Sequence, residues 1–205
     1  ADWVELTNSA DHVRIVSPAG TDISAHNNGR RGFNHGPATR KGQAYMVGGQ
    51  VGWCPLEETI EGTIVFDGML SYPEELTRLK RPVKIEVERG IIREISGGND
   101  AAIFDQWLHS FQDPNMLRIA HFTYGFNPGA EVSEHIVESE RAYGVHVFGI
   151  GKQLPLIGGR GWDAPGHTDG IVLRPSVWLD GELVEQEGRF VHPTLADLDQ
   201  RLVGS

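Results

Sequence analysis

Gly166-His167-Thr168-Asp169-Gly170 sets an imidazole and a carboxylate two residues apart, directly ahead of the apolar run Ile171-Val172-Leu173. In an extended strand, side chains i and i+2 emerge on the same face, so His167 and Asp169 are able to grip one object between them. Two more histidines lie in segments of strand character. In Ile119-Ala120-His121-Phe122-Thr123-Tyr124, alternation places Ile119, His121 and Thr123 on one face and Ala120, Phe122 and Tyr124 on the other. In Gly144-Val145-His146-Val147-Phe148, His146 shares a face with Phe148. A histidine in such apolar company needs a hydrogen-bond partner or a metal, because an unsatisfied buried imidazole is costly; for either one alone, a hydrogen-bonded core histidine is the commoner outcome. The combination is more specific. Two imidazoles and one carboxylate on rigid strands form the ligand set of the non-heme Fe(II) facial triad, which leaves positions open for substrate and dioxygen, although zinc accepts the same donors. His26 and His35 lie in Gly/Asn-rich flanks and are candidate substrate contacts, whereas His12 and His109 read as surface or edge residues.

The elements that must hold these groups are mostly strands. With 26 glycines and 11 prolines, turns punctuate the chain about every ten residues. Alternating or β-branched segments predict strands at 12–17, 62–67, 83–87, 91–95, 119–126, 145–150, 170–173, 177–179 and 183–186. Glu88-Arg89-Gly90 and Asp180-Gly181 fall between strand patterns, where hairpin turns require positive φ, so antiparallel pairing is expected there. Helical spacing appears at 101–111, 133–141 and 194–202, and residues 27–41 form a Gly/Asn/Arg-rich loop. The expected fold is an α+β, β-rich mixed or antiparallel sheet domain with a few packing helices, a single unit over 1–205.

Composition removes several function classes. A formal net charge of -10 and one short basic cluster, Arg78-Leu79-Lys80-Arg81, argue against a nucleic-acid partner. The lone Cys54 excludes an internal disulfide and any Cys-rich zinc site, and fits a cytoplasmic location. No apolar run approaches the roughly 20 residues that span a bilayer, so no membrane association is expected.

The order Ser17-Pro18-Ala19-Gly20-Thr21-Asp22, Gly48-Gly49-Gln50-Val51, Glu61-Gly62-Thr63-Ile64-Val65-Phe66-Asp67-Gly68, Phe126-Asn127-Pro128-Gly129-Ala130, Tyr143-Gly144-Val145-His146-Val147 and His167-Thr168-Asp169-Gly170 carries a resemblance. It resembles the C-terminal domain of the thermophilic leucyl aminopeptidases and of their relatives, the 2,5-dihydroxypyridine 5,6-dioxygenases, over about residues 13–188. The aminopeptidases hold two metals with glutamates where this chain has Gln50 and, by the same comparison, His121. Neutral groups at both positions remove the anionic charge that keeps two divalent cations about 3.5–4 Å apart. The resemblance therefore implies a mononuclear centre of ferrous iron, Fe(2+), on His121, His167 and Asp169. His146 is then a candidate acid/base, Gln50 a hydrogen-bonding group at the site, and Trp162, with Trp53 and Phe122, a candidate stacking surface. The implied activity is O2-dependent opening of a hydroxylated aromatic or N-heteroaromatic ring such as 2,5-dihydroxypyridine. The alternative is a metal-dependent aminopeptidase or other hydrolase of the same superfamily, which needs a carboxylate base from Glu131, Glu134 or Glu140; a binding module with a structural metal is a third. Both families carry an N-terminal domain that has no counterpart in this reading, and the apolar wall it would cover predicts a homo-oligomer.

Overall fold

Arg89 and Gly90 adopt φ of 52° and 71°, and Asp180 and Gly181 adopt 50° and 83°. Two successive left-handed residues make the tight turn whose twist matches paired strands, so each predicted hairpin forms. Asp180 is tied down further: its carboxylate accepts the backbone N–H of His12 at 2.8 Å.

The computed structural model describes residues 2–35, 41–42 and 48–203. In chain order the elements are α1 (Asp2–Ser9), β1 (His12–Val16), β2 (Asp22–His26), β3 (Phe33–His35), β4 (Gln50–Trp53), β5 (Glu61–Phe66), β6 (Val83–Glu88), β7 (Ile91–Ser96), α2 (Asn99–Ser110), β8 (Ile119–Gly125), α3 (Ile136–Ser139), β9 (Val145–Gln153), β10 (Trp162–Leu173), β11 (Ser176–Leu179), β12 (Glu182–Gln186), β13 (Arg189–Phe190) and α4 (Pro193–Val203). They build an eight-stranded sheet ordered β13-β12-β11-β1-β2-β5-β6-β7 and a five-stranded sheet ordered β10-β9-β8-β4-β3. Every strand pair within these sheets is antiparallel. The α+β, β-rich expectation is met. No helix among the described residues is long and apolar enough to cross a membrane.

The two sheets share one core. Ile15, Ile23, Ile64, Phe66 and Ile85 of the larger sheet and Trp53, Phe122, Phe148, Ile150 and Val172 of the smaller are all within 1% of full burial. Phe66 meets Phe148 edge-on with ring centroids 6.5 Å apart, and α2 adds Phe104 against Phe66 at the same separation. Each such side chain contributes roughly 1.5–3 kcal/mol by leaving water. Trp53 and Phe122 are therefore core residues, not a stacking surface for a ligand.

The smaller sheet also has an outer face, divided between apolar and polar residues. Met69, Ala142, Val145, Val147 and Ile171 form a second apolar cluster there, closed by Ala130, Ile136 and Leu173. The other half carries the polar residues of interest. Their facing depends on an irregularity in β8: Ile119 pairs with Ile150, whereas His121 pairs with Gly149, so one extra residue is inserted between them. A bulge of this kind lets Ile119 and His121 point to opposite faces, where plain alternation would put them together.

Candidate metal centre

His121 on β8, Gly149 on β9 and Asp169 on β10 stand side by side across three adjacent strands, and His167 lies two residues before Asp169, opposite Gly151. The strands thus deliver three donors to one spot. His121 Nε2 lies 3.1 Å from Asp169 Oδ1, His167 Nε2 lies 3.3 Å from the same oxygen, and the two Nε2 atoms are 3.3 Å apart. Among the described residues this is the group of His, Cys, Asp or Glu side chains that could hold a metal ion, with all three donor atoms within 4.8 Å of one another.

The opposite nitrogens fix the rings. His167 Nδ1 sits 2.8 Å from the Lys152 carbonyl, which can only accept, so Nδ1 carries a proton and Nε2 is the nitrogen turned toward Asp169 and His121. His121 Nδ1 lies 3.1 Å from Thr123 Oγ1. Such outer hydrogen bonds orient metal-binding imidazoles. Gly149 provides the space: a Cβ there would fall 2.2 Å from His121 Nε2. Asp169 is pinned through its backbone, its N–H donating to Ser71 Oγ at 2.8 Å and its carbonyl accepting from the Ser71 N–H at 2.9 Å.

Electrostatics match a cation site. Burial opposes charge on Asp169, yet His167 and His121 together hold its carboxyl well below the usual range. Burial likewise works against His167, and the Asp169 carboxylate overcomes it to raise the imidazole above its ordinary value. Metal binding requires both imidazoles deprotonated at Nε2, and two such nitrogens with one carboxylate suit a single divalent ion.

Gln50, on the outer face of β4, joins this site by hydrogen-bonding Glu140, whose pKa is raised by burial and by the nearby Asp169. Glu140 also pairs with Arg141. A cavity of about 260 Å³ opens beside the imidazoles, lined by His121, His167, Lys152, Leu154 and Ile157. Trp162, at the start of β10, lines a neighbouring cavity that shares Lys152 and Leu154, and its indole N–H donates to the Gly151 carbonyl at 2.8 Å.

Two expected residues are not brought here. His26 ends β2 in the other sheet, with its ring 5.2 Å from that of His12 and its Nδ1 3.8 Å from Asp11. His146 is on the core face, sealed among Trp53, Phe122, Tyr124 and Phe148, and neither ring nitrogen has a hydrogen-bond partner. That placement does not suit an acid/base that meets substrate. The side chain of His35 lies outside the described residues.

Burial, with a smaller contribution from His121, pushes the His146 pKa well below that of a free imidazole. The unfolded chain takes up a proton near pH 6.5 that the folded chain refuses, so this residue's stability contribution is complete above that pH and is lost as pH falls below it. His146→Leu is expected to flatten the decline in unfolding free energy as pH falls below about 6.5. Urea titrations across that range check it; an unchanged slope would show that His146 is protonated in the fold.

Comparisons with known proteins bear on the family and the fold. The family model described as 2,5-dihydroxypyridine 5,6-dioxygenase matches residues 2–192. A curated relative, 2,5-dihydroxypyridine 5,6-dioxygenase of Pseudomonas putida KT2440, is 28% identical over 206 residues, covering 92% of this chain and 56% of the relative. Among solved structures, 2,5-dihydroxypyridine dioxygenase from Pseudomonas putida KT2440 superposes with a TM-score of 0.82 at 24% identity, covering 95% of this chain and 58% of that one. Wild-type AmpT from Thermus thermophilus superposes with a TM-score of 0.70 at 15% identity, covering 93% and 52%. The chain thus spans little more than half the length of the relatives it matches. The family match over nearly the whole chain, on a fold that sets His121, His167 and Asp169 together, makes this chain a member of the 2,5-dihydroxypyridine 5,6-dioxygenase family.

Proposed function

We propose that this chain carries the metal centre of a non-heme Fe(II) dioxygenase that opens a hydroxylated aromatic or N-heteroaromatic ring of the 2,5-dihydroxypyridine class. The observation that carries the reading is the convergence of His121, His167 and Asp169 on one face of a rigid sheet, with an apolar cavity against the two imidazoles. His121, His167 and Asp169 would hold the ion through two nitrogens and one oxygen, a donor set of the kind that serves O2-using iron sites. When bound, ferrous iron supplies the electronic link between an electron-rich ring and O2.

The chain's own residues shape that encounter. Leu154 and Ile157 offer apolar surface to a flat ring, and Lys152 lines the same cavity with its ammonium paired to Asp163 at 2.7 Å. Glu140, raised by burial beside Asp169 and hydrogen-bonded by Gln50, takes the proton-accepting role in place of His146. Ser71 and Thr123 keep Asp169 and His121 aligned. The homo-oligomer expected from the sequence belongs to the same proposal, because Leu154 at the cavity is half exposed and calls for a further wall.

The test is anaerobic reconstitution with Fe(II), metal analysis, and O2 uptake with 2,5-dihydroxypyridine. One iron per chain and ring-dependent O2 consumption are expected. Two zinc ions per chain with peptide hydrolysis would establish the hydrolase alternative instead.

A further inference from the structure

The cavity wall beside the imidazoles includes Leu154 and Ile157 of the segment 153–161, and a buried carboxylate from the connection between β4 and β5 holds that segment. Glu57 lies in a 3-10 turn at Glu57–Thr59, between β4 and β5, with a side chain only 7% exposed. Its oxygens receive the Arg30 guanidinium at 2.5 Å, the Arg160 backbone N–H at 2.9 Å and the Gln153 amide at 3.3 Å. Arg30 reaches on to the Gly158 carbonyl at 2.7 Å. Gln153, itself buried, donates to the Ala120 carbonyl at 2.9 Å and accepts from the Gly161 N–H at 2.8 Å.

These bonds have a shared target. The segment's backbone is grasped at Gly158, Arg160 and Gly161, one to four residues beyond Ile157, which lines the cavity with Leu154. Gln153 joins the same carboxylate to the residue preceding His121. A buried carboxylate costs desolvation, and here it is offset by charge-assisted hydrogen bonds that serve a segment with little regular structure of its own. Loops that carry function need such positioning from the scaffold.

We propose that Glu57 is a positioning residue for ring binding: through Arg30 and Gln153 it holds residues 153–161 as a fixed wall and so sets the shape of the cavity beside the metal donors. The proposal rests on the ring-dioxygenase reading for the identity of what binds. It requires no contact between Glu57 and substrate. Asp169, His121 and His167 have hydrogen-bond partners of their own in Ser71, Thr123 and the Lys152 carbonyl, so the metal donors stand without it.

The test uses the iron-loaded protein and Glu57→Gln, which keeps the shape but not the charge. Hydrogen exchange of the amides at 153–161 should speed up by about tenfold. KM for 2,5-dihydroxypyridine should rise about tenfold with kcat within about twofold and iron content unchanged. If Glu57→Gln fails to fold, Arg30→Gln breaks the same pair from its other side and is read in the same way. Unchanged exchange and unchanged KM in a folded variant overturn the proposal, as does a loss confined to kcat. Absence of turnover by the parent protein together with faster exchange in the variant would remove the dioxygenase reading and keep the clamp.

Discussion

Asp169→Asn is expected to lose divalent metal by at least about a hundredfold in affinity, and ring-dependent O2 uptake with it. Even residues that only support metal ligands cost 10–100-fold when removed, and this substitution removes the single anionic ligand. The carboxylate has two jobs that Asn cannot do together: it would neutralise part of a bound cation's charge, and one oxygen meets both His121 and His167. The fold should survive. The links from residue 169 to Ser71 use its backbone, and the core face of β10 relies on Val172, which the substitution leaves untouched. Metal titration, circular dichroism and O2 uptake on the same sample decide it. Normal metal affinity in a folded variant would sink the assignment.

Gly149→Ala should be nearly as damaging, although glycine carries no chemistry. The new methyl would fall 2.2 Å from His121 Nε2 and 2.3 Å from its Cδ2, inside any tolerable contact. β9 is held by neighbours on both sides, so the imidazole is the part able to move, and moving it separates Nε2 from Asp169. About tenfold or more loss of metal affinity is expected, with overpacking costing about 1–3 kcal/mol of stability. Isothermal titration with Fe(II) under nitrogen and urea unfolding measure the two effects. Full affinity in Gly149→Ala would mean that His121 does not hold the ion through the position seen here.

How far the sequence revealed these features depended on whether the signal was local. The β6–β7 and β11–β12 hairpins were legible because Arg89-Gly90 and Asp180-Gly181 declare their backbone conformation. β4 was not: its outer face is Gln50 and Gly52, one polar group and one bare backbone, so no alternation shows. α1 escaped notice because, among its described side chains, only Trp3 and Thr7 are buried. β10 was foreseen only from residue 170, since Pro165 and Gly166 imitate a turn, yet the strand begins at Trp162.

The site divided along the same line. His121, His167 and Asp169 announced themselves by type, and the geometry brings them together. Gly149 did not, because its contribution is the volume it leaves empty. Glu140 was noticed only as a base for hydrolysis; its place beside Asp169 depends on residues 127–142 folding over the outer face, which no local pattern states. His146 misled for a related reason: a histidine flanked by valines looks reserved for chemistry, and only the pairing register shows that it faces Phe122 and Tyr124.

That register has an evolutionary consequence. On β8 and β9 the residues that make the fold and the residues that make the site alternate, one side facing Phe122, Phe148 and Ile150, the other His121 and Gly149. Inheritance can therefore rewrite one side while conserving the other. A lineage could trade ligands on the outer face, and with them its reaction, without renegotiating the interior that lets the chain fold, and the divergence would leave architecture as the only trace of common descent.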